Sequence, residues 1–161
     1  MSEATEAQAG STLSADDRRT LAAVLDEIIP ATGDGALPGA GSVVESGLVD
    51  GTLECVPPLA LGLTMGLAAV RDAARARGVD RFSDLLPADR TAVLNEVGEK
   101  DPGFVPTMMF VAYTTYYRDD RVLEALGLEA RAPHPKGYDM SPCDLSLLDP
   151  VRRRPKLYRD V

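Results

Sequence analysis

The chain has 161 residues, 45% of them apolar and 26% charged, with 17 basic against 25 acidic side chains for a net charge of −8. That is enough for one substantial core, and the composition is that of a folded globular protein rather than a disordered one. Charge is unevenly spread: residues 151–161 hold five basic groups against Asp160 and stand at +4, while the rest carries 12 basic and 24 acidic groups at −12. Such a body repels nucleic acid and anionic lipid, whereas the tail is suited to an acidic surface.

Residues 1–12, opening "MSEATEAQAG", are small and polar and are expected to form a disordered leader. Acids stand where a secretion signal needs lysine or arginine, and no apolar run follows, so a cytoplasmic location is expected. "LSADDRRTLAAVLDEIIP" reads as a helix. Ser14 is a good N-cap, Asp16 and Asp17 suit the positive end of the helix dipole, and Leu21, Val24, Leu25, Ile28 and Ile29 share one face. Pro30 closes it. "ATGDGALPGAG" is a loop, and a short helix over about 41–50 is expected to turn Val43, Val44, Leu48 and Val49 inward.

Pro57 and Pro58 fit a first helical turn, where the missing N–H costs little, and a long helix follows over 59–77, stopped at Gly78. "LLPADRTAVLNEVGEK" gives another helix, with Pro87 at its start, Asp89 in its first turn, and Ala92, Val93 and Val97 along one face. Residues 104–117 are rich in methionine and aromatic residues, and core packing is expected of Phe110 and Tyr113. Asp119 and Asp120 can cap a last helix, "RVLEALG", ended by Gly127. The uncharged stretches 55–70 and 102–117 are too short for a membrane span and contain prolines and glycines, so both are expected to be buried core.

From residue 128 onward Pro133, Pro135, Pro142, Pro150 and Pro155 leave room for no helix beyond about two turns, and nothing alternates like a strand. Yet Tyr138, Met140, Leu145, Leu147, Leu148, Val151, Leu157 and Tyr158 make the segment too apolar for a solvated tail. The expected fold is all-α: a compact helical domain of about five to six helices over 13–127, with an irregular arm over 128–161.

The chemical inventory is thin. His134, the sole histidine, lies between two prolines, and no serine or cysteine partner can be placed beside it. Covalent haem attachment needs C-x-x-C-H, and a zinc or iron–sulfur site needs clustered soft ligands; Cys55, Cys143 and His134 are scattered. The cysteines are expected to be buried thiols, with Cys143, in a polar proline-flanked segment, the candidate exception. "GDGALPGAG" lacks the preceding strand and the Gly-Lys-Ser/Thr of a phosphate loop. The acidic pairs Asp16-Asp17, Asp26-Glu27 and Asp119-Asp120 are accounted for as helix caps and solvated faces. No cofactor is expected on this chain.

Three stretches together, "LAAVLDEIIPATGDGALPGAGSVV", "YYRDDRVLEALG" and "LDPVRRRPKLYRDV", resemble the start, late helix and C-terminal signature of the gluconate 2-dehydrogenase subunit 3 family. The resemblance implies an accessory role beside a flavin-dependent large subunit of the glucose-methanol-choline (GMC) oxidoreductase group. That subunit would carry FAD and oxidise a sugar or sugar acid, and in some systems a separate cytochrome subunit takes the electrons. Small subunits of this family often carry a twin-arginine export signal; "MSEATEAQAG" departs from that pattern, and a cytoplasmic complex is expected.

On this reading the arm lies along the flavoprotein. Tyr138, Leu148, Val151, Leu157 and Tyr158 are the apolar and aromatic anchors, and Arg152, Arg153, Arg154 and Arg159 pair with carboxylates. Extended, the segment after Gly127 reaches on the order of 100 Å. Two rival readings are a regulatory adaptor for an unrelated acidic partner and a small helical enzyme using His134.

Overall fold

The computed structural model describes residues 13–137 and 139–155, so the expected leader over 1–12 lies outside the described residues. The chain divides into two compact units, Met1–Arg131 and Ala132–Val161. Every element is helical, and no strand occurs among the described residues.

The first unit holds α1 (Ala15–Ile28), a 3-10 turn (Ala40–Ser46), α2 (Leu48–Cys55), α3 (Pro57–Ala76), a second 3-10 turn (Phe82–Asp84), α4 (Pro87–Lys100), α5 (Phe104–Tyr116) and α6 (Asp120–Ala125). Helix α1 is the hub, packing against both 3-10 turns, α3 and α5. Its start is fixed by a capping box: the Asp17 N–H donates to Ser14 Oγ at 3.1 Å, and the Ser14 N–H returns to Asp17 Oδ2 at 3.2 Å. Leu21, Val24 and Leu25 on its inner face are fully buried, each worth about 1.5–3 kcal/mol of transfer free energy.

The expected helix over 41–50 is broken in two. Gly47 takes a left-handed conformation, φ 77°, so the 3-10 turn ends there and α2 starts along a new axis. Val43, Val44 and Val49 are buried as expected, while Leu48 at the break is half-buried. Gly78 and Gly127 are likewise left-handed, at φ 82° and 74°, and follow the ends of α3 and α6.

Helix α3 crosses α5 at Gly66, where a Cβ would lie 2.5 Å from Phe104 Cε2. The missing side chain lets the two helices approach. On α4 the buried pair is Val93 and Val97, with Leu94 packed against the core; Ala92, expected inside, is exposed. A leucine buries more area than an alanine, and that rotates the helix.

The larger correction concerns the uncharged stretches. Leu61 and Met65 on α3 are 69% and 65% exposed, and Phe110 and Tyr113 on α5 are each 47% exposed. Helix α5 instead buries Phe104, Met108, Val111, Ala112, Thr115 and Tyr116. An element apolar all round carries no periodicity to mark its inner face, so neighbouring helices make the choice.

In the second unit, Gly137 N donates to Pro133 O at 2.5 Å, a 3-10 turn spans Leu145–Leu148, and α7 covers Asp149–Arg152. The arginine-rich segment thus satisfies part of its backbone in one helical turn, within the limit of about two turns that the prolines set, although the arm as a whole was expected to be irregular. Asp149 and Pro150 suit such a start.

Candidate partner-binding site

The glycine–proline loop is held by side chains that converge on it from α1, α5 and α6. Asp26 Oδ1 accepts from Gly41 N at 2.7 Å, and a Cβ on Gly41 would lie 2.6 Å from Asp26 Oδ2 and closer still to the Ala22 carbonyl oxygen. Only glycine lets the loop lie this close to α1. Tyr116 Oη donates to Pro38 O at 2.9 Å, and Arg121 Nη2 donates to Ser42 O at 3.2 Å. The first two stretches singled out in the sequence therefore meet: the late helical region anchors the loop behind "IIP". The bonds to Gly41 N and Pro38 O are partly buried, so each avoids part of the penalty of an unpaired donor or acceptor, whereas the bond to Ser42 O is exposed.

The acidic pairs are structural. Burial pushes the Asp17 carboxyl up, but hydrogen bonds from Ser14 and from Arg71 Nη1, at 2.6 Å, outweigh it and hold the group below its ordinary value. Asp119 is 5% exposed; hydrogen bonds from Arg121 hold its carboxyl low against burial, and it caps α6 by accepting from Arg121 N at 3.0 Å. Burial pushes the Tyr116 phenol up, with Tyr117 and Asp119 adding to the effect. Arg18 pairs with Asp50 at 2.6 Å. Glu27 Oε1 lies 2.9 Å from Arg90 Nε, close enough for charge attraction, although that N–H is not aimed to form a hydrogen bond.

Two cavities of the first unit have suggestive linings. One, of about 280 Å³, gathers Arg19, Arg71, Arg75 and Arg81 beside Asp16 and Asp80. Arg19 is paired with Asp16, Arg71 with Asp17 and Arg75 with Asp72, so most of its positive charge is already matched. The other, of about 190 Å³, is an apolar cleft among α1, α4 and α5, lined by Ile28, Leu94, Phe104 and Met108 with Glu27 at its edge. Among the described residues no group of three or more histidine, cysteine or acidic side chains is placed to hold a metal ion. His134 stands exposed in a turn of the second unit.

Both cysteines are exposed free thiols, as expected for Cys143 and contrary to expectation for Cys55. Cys55 ends α2 one residue before the exposed Val56 and Pro57, so its side chain leaves the core with the chain.

Of the arm residues singled out, Leu148, Val151, Arg152, Arg153 and Arg154 are described; Tyr138, Leu157, Tyr158 and Arg159 lie outside the described residues. The 3-10 turn and α7 bury no side chain: Leu147, Leu148 and Val151 are 74%, 45% and 54% exposed. Asp149 Oδ1 accepts from Arg152 Nη1 at 3.3 Å, and the Asp149 carbonyl accepts from Arg153 Nε at 3.2 Å. The 3-10 turn, α7 and the two residues after it follow one another directly and carry apolar and then basic groups, all facing solvent.

Sequence reasoning missed a second exposed apolar set. Met109, Phe110, Tyr113 and Tyr117 stand out from the far side of α5, and the rings of Tyr113 and Tyr117 stack at 6.3 Å with an interplanar angle of 13°. The signal lay in the absence of any charge from Phe104 to Tyr117, more apolar residues than one buried face can use. No described helix is long and apolar enough to cross a membrane.

No curated protein and no solved structure matches the chain significantly. The family described as gluconate 2-dehydrogenase subunit 3 matches residues 15–130. The matched span runs from the first turn of α1 to the end of the first unit, taking in the loop and the late helix that anchors it; the "LDPVRRRPKLYRDV" ending lies beyond it. The chain belongs to the gluconate 2-dehydrogenase subunit 3 family.

Proposed function

We propose that this chain is a non-catalytic small subunit that binds a FAD-dependent large subunit of the GMC type and stabilises or matures it, leaving sugar or sugar-acid oxidation to that partner. The family is that of a dehydrogenase subunit, which makes the chain part of a multi-subunit assembly. The observation that carries the reading is the second unit, where Leu147 and Leu148 on the 3-10 turn and Val151 on α7 stand exposed, followed directly by the exposed Arg152, Arg153 and Arg154. Arginine mixed with apolar anchors is the composition of an interface centre, and solvating so many large apolar side chains without a partner is unfavourable. Tyr138, Leu157, Tyr158 and Arg159, which lie outside the described residues, are counted among the partner-binding residues in this proposal. The reading includes a cytoplasmic assembly, a compartment in which the exposed thiols of Cys55 and Cys143 stay reduced. A cytochrome subunit is a further partner some assemblies of this kind would use.

The test is co-expression with a FAD-dependent large subunit of the GMC type. The full-length chain should retain the large subunit through purification with a flavin absorbance spectrum, and deletion of residues 149–161 should release it. Undiminished retention by the deletion variant removes the arm from the interface. Flavin binding or substrate turnover by the lone chain would overturn the accessory reading and favour an enzyme using groups such as His134.

A further inference from the structure

We infer that the solvent-facing side of α5 is a second docking surface, taken by the same catalytic large subunit; this rests on the accessory-subunit reading. Pro106, Met109, Phe110, Tyr113 and Tyr117 are all exposed, and the four large ones are 40%, 47%, 47% and 49% accessible. Their spacing puts them on one stripe opposite the buried Phe104, Met108, Val111 and Thr115. No charged residue interrupts Phe104 to Tyr117 in a chain that is otherwise a quarter charged.

The stripe is built as a rigid element. Tyr113 and Tyr117 stack on one another, and Tyr117 meets Tyr116 edge-to-face at 5.1 Å, while Tyr116 is itself fixed by its bond to Pro38 O. Rings held in one rotamer lose little entropy on binding, and aromatic residues and methionine are the types enriched at interface centres.

Area decides between a second copy and a different partner. Aromatic side chains bury 150–250 Å² each, so five residues at these exposures offer roughly 450 Å². Two copies meeting stripe to stripe would bury about 900 Å², short of the ~1,200 Å² at which specific interfaces begin. One partner face of a standard interface is about 800 Å², so the stripe supplies about half of one. It fits a partner that also engages surface elsewhere on this chain. The family supplies such a partner, another subunit of the dehydrogenase. Its matching face is an apolar groove deep enough for the rings, with polar groups reaching the hydroxyls of Tyr113 and Tyr117.

The experiment compares the intact chain with a variant carrying both Phe110→Ser and Tyr113→Ser, each co-expressed with the large subunit. The variant is expected to bind roughly 100-fold more weakly, as loss of two interface anchors predicts, with an unchanged far-UV spectrum and melting temperature. In parallel, a photo-crosslinking amino acid at position 110 of the otherwise intact complex should attach to the large subunit. Equal retention of the folded variant, or crosslinks only to a second copy of this chain, overturns the inference while leaving the accessory reading intact. Failure of the intact chain to bind the large subunit overturns both. Should the variant lose its helical spectrum, the crosslink alone decides.

Discussion

Gly66→Ala tests how α3 meets α5, the contact that aims the aromatic stripe outward. The new Cβ would stand 2.5 Å from Phe104 Cε2 and nearer still to Cδ2, where carbon–carbon contacts prefer about 3.5–4.0 Å. Phe104 is 2% exposed and borders the apolar cleft among α1, α4 and α5, so either its ring is forced toward that cleft or α5 gives way by about 1 Å. Overpacking of this kind costs about 3 kcal/mol at the upper end. Replacing glycine within a helix returns about 1 kcal/mol of propensity. The net loss is about 2 kcal/mol, or a fall in Tm of roughly 8 °C for a unit of this size. Gly62→Ala is the matched control, because Gly62 lies one turn earlier on α3, is exposed, and has nothing within 4 Å of its added Cβ; it should gain about 0.5–1 kcal/mol. Thermal melts of the two purified variants, followed by circular dichroism, should move in opposite directions. A Gly66→Ala protein that melts at or above the wild-type temperature would refute the close α3–α5 approach.

Asp17→Asn should destabilise at pH 7 by about 2 kcal/mol, since it weakens both the capping box and the charged bond from Arg71. The carboxyl of Asp17 is held below its unfolded value of 3.8, so its contribution is present above that pH and is lost as pH falls through the folded value. The gap between the urea midpoints of the two proteins should therefore narrow progressively as pH falls below 3.8, and a gap that stays constant as the acid limb is descended would contradict the assignment. Tyr116→Phe removes the donor to Pro38 O and should cost about 1 kcal/mol, with hydrogen exchange rising in the 32–41 loop before the helices. Gly41→Ala should destabilise more than Tyr116→Phe, because the obstacle is the backbone carbonyl of Ala22 rather than a movable side chain; a neutral melt would mean the loop sits further from α1.

The sequence by itself determined the helical class, the capped start of α1, the helix ends at Gly78 and Gly127, and the family, because these rest on local chemistry: a serine three residues before an aspartate, glycines that adopt positive φ, and a loop motif dense in glycine and proline. It also marked the arginine-rich ending as unlike the body, since charge is counted without coordinates. Three things were decided only by tertiary structure. Gly47 divided one expected helix into two, because the turn of the chain there depends on where α2 must pack. Cys55 went outside although its type favours burial. On α5, apolar residues occur at every angle, so periodicity is silent, and the contacts with α1, α2, α3 and α4 chose Met108 and Val111 for the core, leaving Phe110 and Tyr113 in solvent. Which face of an all-apolar helix is inside is a property of its neighbours, and no reading of that helix alone can supply it.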